Sequence, residues 1–151
     1  MTYTKKSFNV RVYGILIKDG HILLSDELIM GKQITKFPGG GLEFGEGVVD
    51  CLIREFREEI GVEVNIKRHF YTTDFFVASA YNPNAQLISI YYEVESEHSS
   101  QIVTTNRKFD FAEQKNGAQS FRWRSIPQLT EKDFTFIIDK KVAEMLRLLY
   151  G

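Results

Sequence analysis

The chain has 151 residues, of which 43% are hydrophobic and 26% are charged, and its formal net charge is −1. This is an ordinary globular composition, and the length predicts one domain over residues 1–151 with enough apolar side chains for a core. A charge this close to zero excludes broad electrostatic binding to nucleic acid or to an anionic membrane.

Cysteine content and hydropathy both favour a cytoplasmic location. Cys51 is the only cysteine, so no intrachain disulfide can form, which fits a reducing compartment. The N-terminal stretch MTYTKKSFNV lacks the apolar core of a signal peptide. The sequence has no apolar run near the roughly 20 residues that a membrane-spanning helix needs. We therefore expect a cytoplasmic protein without a membrane partner.

The first elements in chain order are strands. Residues 8–17 are rich in β-branched and aromatic side chains and predict a strand. The Asp-Gly pair in KDGH, residues 18–21, predicts a hairpin that returns through HILLS. A short strand over residues 34–38 is then stopped by Pro38 and the glycines that follow it.

A helix is predicted over residues 47–60. Apolar side chains recur there at helical spacing and form one stripe, and Gly61 follows at a position favoured for a helix end. The stripe consists of Val49, Leu52, Ile53, Phe56 and Ile60.

The rest of the chain predicts more strands and a second helix. Strands are expected over residues 62–73, 74–80, 87–95 and in SFRWRSIP, with a long polar loop over residues 96–117 and a C-terminal helix over residues 139–149. This order of elements favours a mixed sheet between helices over regular βαβ winding. Several aromatic side chains could stack on a base, although aromatic residues in strands are more often core. They are Phe75, Phe76, Tyr81, Tyr91, Tyr92 and Trp123.

The predicted first helix carries three carboxylates on one face. Glu55, Glu58 and Glu59 have the spacing at which helical side chains are neighbours, and like charges at this spacing destabilise a helix. One interpretation is a solvated charged face that Arg54 and Arg57 partly relieve. The other is a site for a hard divalent cation such as Mg²⁺, which prefers carboxylate oxygen and cancels the repulsion.

The glycines before this helix do not fit the standard phosphate loops. A Walker loop needs Lys where Glu46 follows Gly45. A dinucleotide fingerprint that starts at Gly45 needs glycine at position 50, which is Asp50. We interpret the glycine-rich segment as a tight turn that brings the backbone and Glu46 against the helix.

With its spacing included, the segment resembles a known motif. It reads Gly40, five residues, Glu46, seven residues, and then REFREEIGV from Arg54 to Val62. This resembles the Nudix box of the Nudix hydrolases, Gly-x5-Glu-x7-Arg-Glu-U-x-Glu-Glu-x-Gly-U, where U is a bulky apolar residue. Every fixed position matches, and Phe56 stands where the first U is usually aliphatic. The resemblance favours the metal site over the solvated face.

The resemblance also implies a fold and an activity. The fold is α+β, a Nudix-type α/β/α sandwich with a mixed central sheet. The activity is that of a pyrophosphohydrolase that uses Mg²⁺, or Mn²⁺, to hydrolyse a P–O–P bond in a nucleoside diphosphate linked to another moiety. Nucleotide sugars, ADP-ribose and nucleoside triphosphates are such substrates. The partner is thus a small molecule rather than nucleic acid, and the oligomeric state stays open, with a homodimer as one candidate.

Carried over position by position, the resemblance implies the metal ligands. Glu55, Glu58 and Glu59 would bind the metal, and Gly40 would offer a backbone carbonyl near it. Either Glu55 or Glu59 would also accept a proton from the attacking water.

Other charged residues have implied supporting roles. Glu46 and Arg54 would form an ion pair that fixes the loop against the helix. Members of the family often add an acid from a distal loop as base or ligand. Here the loop over residues 96–117 offers Glu97, Asp110 and Glu113, of which Glu113 is the candidate because it precedes the last strand. A solvated loop acid is the alternative.

Two other functions remain as alternatives. One is a non-catalytic, ligand-sensing Nudix module, although such proteins usually lose box carboxylates that this chain keeps. The other is an interaction protein that uses the acidic helix without metal. A thermal shift with millimolar Mg²⁺ separates this second alternative from a metal site, because a solvated charged face has no specific ion to bind.

Overall fold

The computed structural model describes residues 5–151, so the first four residues of the predicted domain lie outside the described range. The strands are β1 (Ser7–Lys18), β2 (His21–Ile29), β3 (Lys32–Lys36), β4 (Gly39–Gly41), β5 (Asn65–Thr72), β6 (Ala85–Glu95) and β7 (Gln119–Ser125). The helices are α1 (Val48–Glu59) and α2 (Ile137–Tyr150), with three short 3₁₀ turns at Ser99–Gln101, Ile126–Gln128 and Glu131–Asp133. Within the described range, no helix is both long enough and apolar enough to cross a membrane.

The strands form one mixed sheet. Its main path is β3-β2-β1-β6-β5, with β4 also paired to β1 and β7 paired to β2. The contact between β1 and β6 is parallel, and it runs from Ser7 opposite Ala85 to Leu16 opposite Val94. The other pairs are antiparallel. A parallel pair needs a long crossover, and the segment that contains α1 and β5 supplies it.

The alternation of side chains along β1 creates two cores. Val12 and Leu16 lie in the cluster that contains Phe56 of α1. Tyr13 and Ile15 lie in the other cluster, which also contains side chains of α2. Successive residues of a strand point to opposite faces, so β1 packs on one helix with each face. The predicted α/β/α sandwich with a mixed central sheet is confirmed.

Two hairpins organise β1, β2 and β3. Asp19 and Gly20 both have positive φ, 50° and 74°, as a type I′ turn requires, so the predicted Asp-Gly hairpin is confirmed. Met30 and Gly31 have nearly the same values, 52° and 77°, and turn β2 into β3. The second turn is harder to read from sequence because methionine is an uncommon residue at positive φ.

The first helix lies where it is predicted. It begins after Gly47, and Gly61 follows its end with a φ of 83° while donating its N–H to the Phe56 carbonyl at 2.9 Å. Leu52 and Phe56 of the apolar stripe are fully buried. Val49 belongs to the predicted stripe but is 38% exposed, whereas Cys51, outside the stripe, is fully buried.

The prediction of a strand over residues 74–80 is wrong. After β5 the chain leaves the sheet, and an isolated bridge between Ala78 and Gln86 stands where a ladder is expected. Phe76 is 72% exposed, so a side chain with high β propensity has no core to pack against here. The adjoining predictions of β6, β7, the long polar loop and α2 are confirmed to within a few residues.

The interpretation of the first glycines as a tight turn is also wrong. Gly39–Gly41 form β4, which pairs with residues 11–13 of β1. A Cβ on Gly39 would overlap the carbonyl oxygen of Val12, and the φ of Gly39 is 149°. Glycine is therefore needed for a close backbone approach, and the chain turns only afterwards, where the Glu46 N–H donates to the Glu43 carbonyl.

We expect Gly39→Ala to lower the free energy of unfolding by on the order of 2–3 kcal/mol, because the added Cβ meets backbone rather than a movable side chain. Gly41→Ala is the matched control, since its Cβ would meet only an Arg11 guanidinium nitrogen at an ordinary 3.5 Å. Urea denaturation of both variants checks the difference. Equal midpoints for Gly39→Ala and the wild type would refute the role of this close approach.

Candidate active site

An ion pair fixes the turn after β4 to α1. Arg54 Nε donates to Glu46 Oε2 at 2.9 Å, and Arg54 Nη2 donates to Glu46 Oε1 at 2.7 Å. The backbone N–H of Glu43 also donates to Glu46, at 2.9 Å. The hydrogen bonds from Arg54 lower the pKa of Glu46 to about 2. Because both nitrogens of the fork engage one carboxylate, the pair fixes orientation as well as charge.

The same guanidinium contacts two more box glutamates. Arg54 Nη1 lies 3.1 Å from Glu55 Oε1 and 3.2 Å from Glu58 Oε2. The hydrogen bonds to Glu46 hold the pKa of Arg54 above its usual value. One positive charge thus offsets part of the repulsion on the acidic face of α1.

Glycine at position 40 makes room for Glu55. A Cβ on Gly40 would overlap the Glu55 carboxylate. The side chain of Glu55 is only 11% exposed, because it lies between α1 and β4. The structure therefore brings together Gly40, Glu46, Arg54, Glu55 and Glu58.

Glu59 faces a second group of residues, which the sequence analysis did not identify. Gln119 Nε2 lies 3.3 Å from Glu59 Oε2 and 3.2 Å from Glu27 Oε2. Glu27 in turn forms an ion pair of 2.9 Å with Lys36 Nζ. We call Glu27, Lys36 and Gln119 the junction. Its residues come from β2, β3 and β7, and no short sequence motif connects them.

The charges of the junction are matched. Lys36 is buried, and its Nζ also donates to the Gly39 carbonyl at 3.1 Å. Burial by itself lowers the pKa of Lys36, but Glu27, Tyr13 and Glu59 together outweigh this effect and the pKa lies above its usual value. Burial raises the pKa of Glu59, and Lys36 opposes that shift.

A cavity of about 460 Å³ opens beside the junction. Its walls are mostly apolar, with a small number of charged and aromatic side chains, as is typical of small-molecule sites. The charged and aromatic lining residues include Arg11, Tyr13, Glu27, Lys36, Tyr81 and Asp139. Glu27 belongs both to the junction and to the cavity wall. Gln119 contacts Glu27 and also Glu59 of α1, so the junction connects the cavity to the acidic helix. Of the aromatic residues singled out in the sequence, Tyr81 and Tyr91 line this cavity.

A buried carboxyl lies in the wall of the cavity. Tyr91 Oη donates to Asp139 Oδ1 at 2.6 Å, and Asp139 is 3% exposed. Burial raises the pKa of Asp139 to about 7, and the Tyr91 hydrogen bond opposes the shift. Asp139 is therefore a titrating group near neutral pH.

The loop acid proposed from the sequence lies elsewhere. Glu113 Oε2 forms an exposed ion pair with Lys115, 3.2 Å away, within the loop itself. Asp110 Oδ2 accepts a hydrogen bond from the hydroxyl of Thr105 in the same loop. These contacts give Glu113 no link to the box, and its role as a base or ligand stays a prediction.

The chemistry of the box carboxylates fits a hard divalent cation. Within residues 5–151, no three Asp, Glu, His or Cys side chains already converge in a way that could hold a metal ion. Arg54 instead lies between Glu55 and Glu58. The ligand atoms that the box glutamates offer are all carboxylate oxygens on one rigid helix. Glu58 is 60% exposed, so its side chain can turn towards an ion. The carboxylate of Glu59 is desolvated and is repelled by that of Glu55. A cation bound there would relieve that repulsion.

Comparison with known proteins gives a family and a fold. The NUDIX domain family matches residues 7–145, whereas no curated protein matches the chain. A NUDIX hydrolase from Nitrosomonas europaea has a TM-score of 0.68 and 20% identity, over 94% of this chain and 90% of that one. A MutT protein from Methanosarcina mazei Go1 has a TM-score of 0.70 and 14% identity, over 97% of this chain and 98% of that one. A UDP-X diphosphatase has a TM-score of 0.58 and 15% identity, over 100% of this chain and 67% of that one.

The buried Asp139 predicts a pH dependence of stability. Its pKa is about 7 in the folded chain, against 3.8 for an unperturbed Asp. Between these values the folded state holds a proton that the unfolded state has lost. Stability therefore falls with rising pH from about 4 to 7, by at most about 1.4 kcal/mol per pH unit, and then levels off.

Asp139→Asn tests this dependence, because an amide does not titrate and its carbonyl oxygen can still accept from Tyr91. We expect the melting temperature of the wild type to fall more between pH 5 and pH 7.5 than that of Asp139→Asn. Calorimetric scans of both proteins across this range check it. Parallel curves would show that Asp139 keeps an ordinary pKa.

Proposed function

Because the chain belongs to the Nudix hydrolase family, we propose that it hydrolyses the P–O–P bond of a nucleoside diphosphate linked to another moiety. The observation that carries the proposal is the placement of the box. Three glutamates share one face of α1, Glu55 lies over Gly40, and the Glu46–Arg54 pair fixes the turn beside them. A rigid acidic face next to a mostly apolar cavity suits a substrate with a charged diphosphate and a bulky second part.

The metal is part of the same proposal. Glu55, Glu58, Glu59 and the Gly40 carbonyl would hold Mg²⁺, or Mn²⁺. Such an ion supplies charge neutralisation at the diphosphate and lowers the pKa of a bound water.

The remaining steps fall to the chain's own residues. Glu46 and Arg54 hold the turn and helix in register, so that the carboxylates stay positioned during the reaction. Glu55 or Glu59 accepts the proton of the attacking water. Glu59 is favoured because burial already raises its pKa towards the range of a useful base. The cavity binds the part of the substrate that does not react.

The cavity supports a nucleotide derivative but does not choose among them. Tyr81 offers an aromatic face and Asp139 a hydrogen-bonding edge, and both lie in the lining. One structurally similar protein is a UDP-X diphosphatase, so nucleotide sugars belong in the substrate panel. The panel also contains nucleoside triphosphates, oxidised nucleotides, ADP-ribose, dinucleoside polyphosphates and capped nucleotides, each with Mg²⁺ and with Mn²⁺.

Three further predictions from the sequence remain proposals. They are a single domain over residues 1–151, a cytoplasmic location and a homodimer as a candidate assembly. The buried thiol of Cys51 supports the second, because a buried free thiol suits a reducing compartment.

We expect Glu58→Gln and Glu59→Gln each to lower activity by on the order of 100-fold or more, because each removes a charge that holds the metal. Both variants should fold, since losing a like charge relieves repulsion on α1. Glu63→Gln is the matched control, because Glu63 is exposed and pairs with Arg57 away from the acidic face. If both variants keep activity against every diphosphate in the panel, the assignment of the metal site is wrong.

The same variants test the metal directly. Millimolar MgCl₂ should raise the melting temperature of the wild type and of Glu63→Gln relative to NaCl of equal ionic strength. The rise should shrink in Glu58→Gln and Glu59→Gln. An identical response of all four proteins would favour an acidic-helix interaction surface without metal.

Gly40→Ala should lower activity while leaving most of the stability. The added Cβ would displace the Glu55 carboxylate, a flexible group, and a shift of about 1 Å in a catalytic group can cost about 100-fold in rate. Steady-state kinetics together with a thermal scan check the two effects separately. A variant with wild-type kinetics would show that the position of Glu55 over Gly40 has no catalytic role.

A further inference from the structure

Arg11 is a cation in the cavity wall that takes no part in the ion pairs of the box or of the junction. It lies on β1, opposite Gly41 of β4 and Ser89 of β6, and it lines the cavity. Its Nε donates to the Tyr13 hydroxyl at 3.1 Å, and its guanidinium lies 5.8 Å from the centre of the Tyr13 ring. Tyr13 therefore fixes the orientation of the guanidinium.

Unlike the other cationic groups near the site, the two Nη atoms of Arg11 make no hydrogen bond within residues 5–151. Lys36 is engaged by Glu27 and by the Gly39 carbonyl, and Arg54 is engaged by box glutamates. Within residues 5–151, the hydrogen bond of Arg11 to Tyr13 is its only side-chain hydrogen bond, and no carboxylate lies within ion-pair distance of it. A partly desolvated guanidinium with unused donors is expected to meet an anionic ligand.

The position of Arg11 relative to the box suggests which anion this is. Its Nη1 lies 3.5 Å from where a Cβ of Gly41 would stand, and the next glycine, Gly40, is covered by Glu55. Burial lowers the pKa of Arg11, while Tyr13, Glu55 and Glu27 raise it, so the guanidinium stays charged. Arg11 therefore lies on the cavity side of β1 and β4, one residue along β4 from the glycine that Glu55 covers. A ligand held in the cavity and extended towards the box would place a phosphate close to it.

We infer that Arg11 binds the phosphate adjacent to the moiety held in the cavity, through its two Nη atoms. The planar fork of an arginine matches two oxygens of one phosphate. Arg11 thus anchors the non-reacting side of the diphosphate, while the box acts on the reacting side. The inference rests on the proposed function for its substrate class, but phosphate binding itself requires neither metal nor hydrolysis.

The test uses binding without metal. AMP, GMP, CMP and UMP, and the four matching nucleosides, are titrated into the protein in EDTA by calorimetry. In the wild type, at least one monophosphate should bind about 10-fold or more tightly than its nucleoside. Arg11→Gln should remove this advantage and leave nucleoside affinity unchanged. Arg11→Lys should keep part of it, because an ammonium carries the charge without the fork.

Arg107→Gln is the matched control, because Arg107 is 81% exposed in the long loop and should not affect the difference. The inference is overturned if the wild type shows no advantage for any monophosphate, or if the advantage survives in Arg11→Gln. It is also overturned if Arg11→Gln weakens nucleosides and monophosphates equally, which would indicate a purely structural role.

Kinetics with a substrate from the panel add a second measure. Arg11→Gln should raise KM by about 10-fold with little change in kcat, because an anchor on the non-reacting phosphate binds ground state and transition state alike. A loss confined to kcat would overturn the inference. Failure of the proposed function gives a different result. In that case Glu58→Gln and Glu59→Gln would stay active, while the wild type would still bind a monophosphate more tightly than its nucleoside in EDTA and Arg11→Gln would still lose that advantage.

Discussion

A Cβ on Gly39 would overlap the Val12 carbonyl of β1, and a Cβ on Gly40 would overlap the Glu55 carboxylate of α1. This close approach of β4 to its neighbours is the constraint on which the site depends. It lets the backbones of β4 and β1 meet closely and leaves room for a carboxylate of α1 directly over β4. The Glu46–Arg54 pair then holds the following turn against α1. Without the glycines, the backbones of β4 and β1 would have to shift and the Glu55 carboxylate would have to move.

The charges around this contact are distributed in matched groups. Arg54 contacts glutamates of the box, and Lys36 pairs with Glu27 at the junction. Glu59 lies between the two groups, with its pKa raised by burial. The box glutamates outnumber Arg54, so excess negative charge remains beside α1, which suits a divalent cation. Arg11 supplies positive charge in the cavity wall, which suits a phosphate. Both features support the proposed diphosphate ligand bound with metal.

The two helices pack on opposite faces of the sheet. One face of β1 packs on α1, which carries the box, and the other face packs on the core that contains α2. The cavity draws on β1, β2, β3 and the start of α2, together with residues 77–81, which leave the sheet. Residues 77–81 thus form part of the cavity wall instead of a strand. Substrate selection can thus vary through the cavity lining while the box stays the same.

The sequence by itself determined the local features. The periodicity of α1, the Asp-Gly hairpin and the spacing of the box depend on neighbours along the chain, so the family resemblance, the acidic face and the sandwich could be predicted. Tertiary structure decided what depends on distant partners. Gly39–Gly41 form a strand because β1 lies alongside, Val49 is exposed because α1 is rotated towards Cys51, and residues 74–80 have no full ladder to join. Glu27, Lys36, Gln119 and Arg11 come from four strands, so only folding brings them near the box, and no spacing in the sequence can encode their proximity.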